Sequence, residues 1–180
     1  MAKPKISSDW MAGCAGCHMS LLDIDERIIQ VAELADIRAT PITDLKEPDV
    51  SGVDVGILEG GINNTANEEV AHKMRKRCKI LVALGDCAVF GGVPAMRNFF
   101  TLEETLRRAY VETESTEPGS KIPDDPELCK PTTVRAVHEV VPVDIFVPGC
   151  PPDADTIFYV LSELAQGRKP EMKGDKLQWH

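Results

Sequence analysis

The chain is poor in several things. No apolar run approaches the roughly 20 residues of a membrane-spanning helix. Residues 1–10 lack the apolar core of a secretory leader, and no twin-arginine signal is present. A cytoplasmic protein is therefore expected. Basic charge is also short: 20 Lys and Arg face 29 Asp and Glu, a formal net charge of −9. That field repels a phosphate backbone and excludes a broad nucleic-acid surface. The one basic cluster, Lys73, Arg75, Lys76, Arg77 and Lys79, falls at the end of an expected helix, where cations suit the dipole. No internal repeat is evident, no cysteine follows Cys150, and no Ser or Thr stands between Met11 and His18.

What remains is ordinary for a globular chain: 180 residues, 43% hydrophobic and 27% charged. One domain over 1–180 is expected, with a surface loop at 112–130 and a polar tail at 169–180. In a reducing compartment the six cysteines are metal ligands or free thiols rather than disulfides.

Residues 3–10 are expected to form a first strand, although Ser7, Ser8 and Asp9 suit one poorly. Leu21, Ile24, Ile28, Val31 and Ala35 recur at helical spacing and predict one helix over 21–35, with Ser20 as its cap. Strands are expected at 37–42 and 53–58, then a turn at Glu59-Gly60-Gly61. Thr65 and Glu68 have capping-box spacing for a helix ending near 77. A strand at 79–84 runs into Cys87, and a short helix follows at 102–110. Pro118, Gly119, Pro123 and Pro126 make 112–130 aperiodic. An extended segment at 134–141 and a last strand at 143–147 lead to Cys150. A helix starting at Pro151-Pro152 then places Ile157, Phe158, Leu161, Leu164 and Ala165 on one face and ends at Gly167. Alternating strands and helices imply an α/β class with a mainly parallel sheet, whose ligand lies beyond the carboxyl ends of the strands.

Three turns carry cysteine: Gly13-Cys14-Ala15-Gly16-Cys17, Gly85-Asp86-Cys87 and Pro148-Gly149-Cys150-Pro151-Pro152. Each follows a strand-like run, so a sheet could bring them together. Four thiolates suit zinc or an iron–sulfur cluster. Structural zinc more often uses two close pairs, whereas here one pair meets two distant single cysteines. Glycines at 13, 16, 85, 91, 92 and 149 leave backbone free to approach a bulky inorganic core and to donate N–H bonds to its sulfurs. Residues alone leave both chemistries open. Cys78 and Cys129 read as a buried apolar residue or a plain free thiol. His18 adjoins Cys17 and could support a ligand from behind, but reads first as a surface or packing histidine at the helix entry; His72 and His138 have no ligand-like spacing. Glu59, after a buried strand and before two glycines, could gate protons or cap a turn.

Taken together with Glu59-Gly60-Gly61 and Gly85-Asp86-Cys87-Ala88-Val89-Phe90-Gly91-Gly92-Val93-Pro94, these motifs resemble the small subunit of [NiFe]-hydrogenases, over almost the whole chain. Leu22-Asp23-Ile24-Asp25-Glu26-Arg27, Gly92-Val93-Pro94-Ala95-Met96-Arg97-Asn98 and Val137-His138-Glu139-Val140 resemble its soluble, NAD-reducing bacterial branch. The resemblance implies a flavodoxin-like, doubly wound fold holding one [4Fe–4S] cluster, with Cys14, Cys17, Cys87 and Cys150 as ligands and no catalytic residue in this chain. It implies partners as well: a large subunit with the Ni–Fe centre, and a diaphorase with FMN, NAD and further iron–sulfur clusters. Electrons from H2 would cross this chain toward NAD+. Gly13 stands where many respiratory relatives carry Glu, which leaves Glu59 as the carboxylate near a motif. Trp10, Met11, Phe90, Met96, Phe99 and Phe100 are candidates for an apolar face against the partner.

Three rivals differ by visible features. The related subunit of respiratory NADH–quinone oxidoreductase has adjacent cysteines in its first motif, whereas Ala15-Gly16 separates them here. A flavin binder would need a hydroxyl-rich first loop. A zinc-stabilised interaction module would be colourless.

Overall fold

The structure, a computed structural model, describes residues 2–177. Five parallel strands form the central sheet: β1 (Lys5–Trp10), β2 (Asp36–Ala39), β3 (Val53–Glu59), β5 (Cys78–Leu84) and β7 (Ile145–Val147). Their spatial order is β2-β1-β3-β5-β7. Counted within the sheet this is 2-1-3-4-5, the flavodoxin-like order, which reverses direction between β1 and β3. A separate antiparallel pair joins β4 (Ile62–Asn64) to β6 (Pro131–Arg135).

Alternation along the strands divides the core. Val82 and Leu84 of β5 face one side, with Ile24, Val31, Ile157, Val160, Leu161 and Leu164. Leu81 and Ala83 face the other, with Ala71, Met74, Ala88 and Val89. Helices α1 (Gly16–Leu22), α2 (Arg27–Leu34) and α6 (Ala154–Ala165) cover the first face. Helices α3 (Thr65–Arg77) and α4 (Asp86–Phe90) cover the second. Helix α5 (Leu102–Tyr110) starts at a capping box between Thr101 and Glu104. No helix among the described residues is long and apolar enough to cross a membrane.

The α/β class and parallel sheet are as expected, but several local readings change. The helix over 21–35 is two helices. Asp25 stands at φ +55°, and the Ile24 carbonyl accepts both the N–H and Nε of Arg27, so the ladder stops there. Three acidic side chains crowd that turn, and Asp tolerates the left-handed region. The apolar face survives the break, because Ile24, Val31 and Ala35 are all buried. Ser20 is not a cap: it lies inside α1, which begins at Gly16. The cap of α3 is Asn64, whose side chain accepts from Asn67 N–H at 2.8 Å, rather than Thr65. Helix α6 begins at Ala154 after the capping Asp153. The expected extended segment at 134–141 holds strand only to Arg135, then a 3-10 turn at Val137–Glu139.

Strand β1 forms despite its polar residues. Ser7 and Ser8 are buried, small enough for layers to close over them; the Ser7 hydroxyl has no partner there. No helix or strand lies between Tyr110 and Pro131. The tail forms a 3-10 turn at Gly174–Leu177, and residues 178–180 of the tail expected over 169–180 lie outside the described residues.

Candidate functional site

Strands β1, β5 and β7 each end in a cysteine turn, and β3 ends at Glu59. A parallel sheet puts those ends on one edge. At the first turn Ala15 takes φ +62° and α1 begins at once, so Cys17 lies on the helix rather than before it. Glu59 fixes that start. Its Oε1 accepts from Cys17 N–H at 3.2 Å and its Oε2 from His18 N–H at 2.9 Å. Those are two of the N–H groups that a helix start leaves without partners.

The same carboxylate pairs with His18 Nδ1, and His18 Nε2 meets Ser8 Oγ at 2.9 Å. The edge of Trp10 packs on the imidazole, with ring centroids 5.5 Å apart. His18 is thus not a surface residue: it is buried, in a Glu59–His18–Ser8 chain that ties the Cys17 turn to β1 and β3. Its place beside Cys17 is legible in the sequence, but its partners, from β3 and β1, are not.

Cys87 lies on α4, directly after β5, and Cys150 in the turn after β7. Ser20 Oγ donates to the Pro152 carbonyl at 2.6 Å and so ties α1 to that turn. The four thiols lie near enough to act on one another. Burial pushes the Cys17 thiol far up, and Glu59, Cys87, Cys14 and Cys150 push it further in that order. Burial also raises Cys87, with Cys150, Cys14 and Asp86 adding to it against a backbone hydrogen bond from Val93. Exposure differs, since Cys17 is buried, Cys87 half-buried, and Cys14 and Cys150 exposed.

Glycines make room around the sulfurs. A Cβ on Gly85, at φ +83°, would run into Cys17 Sγ. One on Gly92, at φ +50°, would sit 2.9 Å from Cys87 Sγ, and one on Gly16 3.1 Å from Cys14 Sγ. Yet among the described residues no three His, Cys, Asp or Glu side chains are close enough to hold one metal ion. A zinc ion, with Zn–S bonds of about 2.3 Å, needs sulfurs within about 4 Å of one another. Four thiolates also suit an iron–sulfur cluster, which is bulkier than a single ion. Cys78 and Cys129 stand apart: Cys78 is packed at the opposite end of β5, and Cys129 is exposed in the long loop.

Residues 14–164 match the family model described as NADH ubiquinone oxidoreductase, 20 Kd subunit. The match starts at Cys14 itself. The delta subunit of the NAD-reducing hydrogenase HoxS of Cupriavidus necator is 43% identical over 170 residues, 92% of this chain and 80% of that protein. A crystal structure of an NAD+-reducing [NiFe]-hydrogenase in the H2-reduced state superposes with a TM-score of 0.93 at 40% identity, over 99% of this chain and 100% of that one. The chain belongs to the NADH ubiquinone oxidoreductase 20 Kd subunit family, in its NAD-reducing hydrogenase branch. A component of the F420-non-reducing hydrogenase of Methanothermobacter marburgensis is 36% identical over 97% of this chain, which spans 58% of that protein. The family model carries the name of the respiratory rival, but these relatives are hydrogenase subunits, and this chain is a hydrogenase component.

One more feature of this hydrogenase component adjoins the cysteines. Phe90, Met96, Phe99 and Phe100, with Val93, are all exposed, Phe99 at 85%. They lie on α4, on the 3-10 turn at Val93–Phe99 that follows Cys87, and at Phe100 just beyond it. Single exposed apolar residues are normal, but five on one short stretch form a patch. Trp10 is 40% exposed, whereas Met11 is half-buried and packs against the core.

Proposed function

We propose that Cys14, Cys17, Cys87 and Cys150 ligate one [4Fe–4S] cluster, through which this chain passes electrons between a Ni–Fe site in a large subunit and a flavin- and iron–sulfur-bearing diaphorase. The overall reaction would be H2 oxidation coupled to NAD+ reduction, in the cytoplasm. The observation that carries this reading is that Cys14, Cys87 and Cys150, from turns after three strands, all lie near enough to Cys17 to act on its thiol, with Gly16, Gly85 and Gly92 leaving space beside the sulfurs. When bound, such a cluster takes up and releases one electron at a time.

The chain's own residues prepare the place. Glu59 anchors the Cys17 turn through two N–H bonds. Gly16, Gly85 and Gly92 keep side chains away from the sulfurs. The exposed patch at Phe90, Val93, Met96, Phe99 and Phe100 is the face for the large subunit, because it adjoins Cys87 and is apolar enough to be buried. A proton route through Glu59 would run along His18 to Ser8, the groups it touches.

The test is the iron, zinc and acid-labile sulfide content of the anaerobically purified complex, with its chains separated by mass. About four irons and four sulfides on this chain are expected. Zinc without sulfide would overturn the reading. Cys87→Ala should abolish H2-dependent NAD+ reduction, and undiminished turnover in that variant would also overturn it.

A further inference from the structure

The turn that carries Cys150 has few means of being held. Pro148, Pro151 and Pro152 have no N–H, so residues 148–152 offer only two backbone donors, Gly149 and Cys150. Strand β7 before it is three residues long and lies at the edge of the sheet. Its ladder to β5 ends where Gly85 N–H reaches the Val147 carbonyl at 2.8 Å. Gly149 itself sits at φ +136°, and a Cβ there would meet Pro152 Cα at 2.5 Å. Gly149 can therefore carry no side chain of its own to steady it.

One residue closes the gap. Asp86 N–H donates to the Gly149 carbonyl at 2.9 Å, and Gly149 N–H donates back to Asp86 Oδ1 at 2.8 Å. Asp86 is buried, immediately before Cys87; Gly149 is immediately before Cys150. Two turns 63 residues apart are thus clasped at the residues next to their sulfurs. A buried carboxylate that accepts a main-chain N–H makes a charge-assisted bond, stronger than a neutral one.

We propose that Asp86 is a positioning residue that sets the separation of Cys87 and Cys150 by holding Gly149. The inference rests on the reading of these cysteines as cluster ligands. The carboxylate acts as an acceptor, so an amide of the same shape should replace it: Asn Oδ1 can take the same N–H. Ala leaves Gly149 N–H without its partner.

The experiment compares wild type, Asp86→Asn and Asp86→Ala in the full complex. One readout is hydrogen exchange of the peptide containing Gly149 and Cys150, followed by mass spectrometry. The second is the rate at which iron is lost from this chain to a chelator. Asn keeps an acceptor in the same place and should fall much closer to wild type than to Ala in both. Ala should exchange about tenfold faster or more in that peptide, given the strength of bonds to charged groups, and should lose iron faster. Wild-type exchange and iron retention in Ala would overturn the proposal. So would an Asn variant as impaired as Ala, because charge rather than acceptor geometry would then be the relevant property. If wild type itself carries no iron, the cluster reading fails, while the exchange readout still decides whether Asp86 holds the turn.

Discussion

Cys17 and Cys78 are equally buried, each 8% exposed, and burial raises both thiols. They lie at opposite ends of the same sheet. Around Cys17 stand three more sulfurs, a carboxylate that caps its helix, and glycines at Gly16 and Gly85. Around Cys78 stand Val53, Met74 and Leu81, with Gly56 closely covered. One thiol has other thiols for neighbours; the other fills apolar space. Burial and acidity do not distinguish a ligand from a packing residue, but neighbours do.

Alanine at a glycine beside each thiol probes that difference. Gly85→Ala should have the larger effect. It places a methyl against Cys17 Sγ at a backbone angle of φ +83°, which costs on the order of 1–3 kcal/mol from backbone strain alone, and should strip most of the iron. Full iron content in that variant would break the comparison. Gly56→Ala puts a Cβ 2.8 Å from Met74 Cγ and Sδ and 3.0 Å from Cys78 Cβ. Overpacking of this kind costs about 1–3 kcal/mol and should lower the thermal midpoint, while iron per chain stays at the wild-type value.

Cys78→Ala should be milder still. Removing one buried sulfur leaves a small void worth roughly 1 kcal/mol, and iron content should again be unchanged. Loss of iron in either Cys78→Ala or Gly56→Ala would mean that the two ends of the sheet are coupled. The smallest effect is expected at Asp54, close to Cys78. Its carboxylate accepts from Lys79 Nζ at 2.7 Å and Lys5 N–H at 2.8 Å. The Lys79 bond first, then the Lys5 bond, hold its carboxyl below the usual value. An acid with a lowered folded pKa stabilises the fold above its unfolded value, near 3.9, and that contribution is lost as pH falls through the lower folded value. Asp54→Asn should flatten this acid limb by only a few tenths of a kcal/mol, because the pair is partly exposed. Denaturation midpoints between pH 2 and 6 would show it.

Legibility followed the range of the cause. Helix α5 was expected at its observed bounds, and the capping box that starts it, Thr101 with Glu104, is a local cause. The break at Asp25 was not, since the apolar face runs straight through it while the backbone does not. Strand β1 looked weak by propensity because burial of Ser7 and Ser8 depends on the layers that close over them. Glu59 was visible as a carboxylate before two glycines, but its partners Cys17 and His18 lie 42 and 41 residues away. Asp86 was visible only as the middle of Gly-Asp-Cys; its bond to Gly149 spans 63 residues.

The sequence by itself determined the alternation of strands and helices, the placing of cysteines after strands, and the glycines that leave space beside them. These are properties of period and of neighbouring residues, which a chain carries before it folds. Only the tertiary structure decided that the three turns meet, that His18 is buried against Glu59, and that Cys78 lies at the far end. Those facts depend on strand order β2-β1-β3-β5-β7, and strand order is chosen by packing between segments that are distant in the chain.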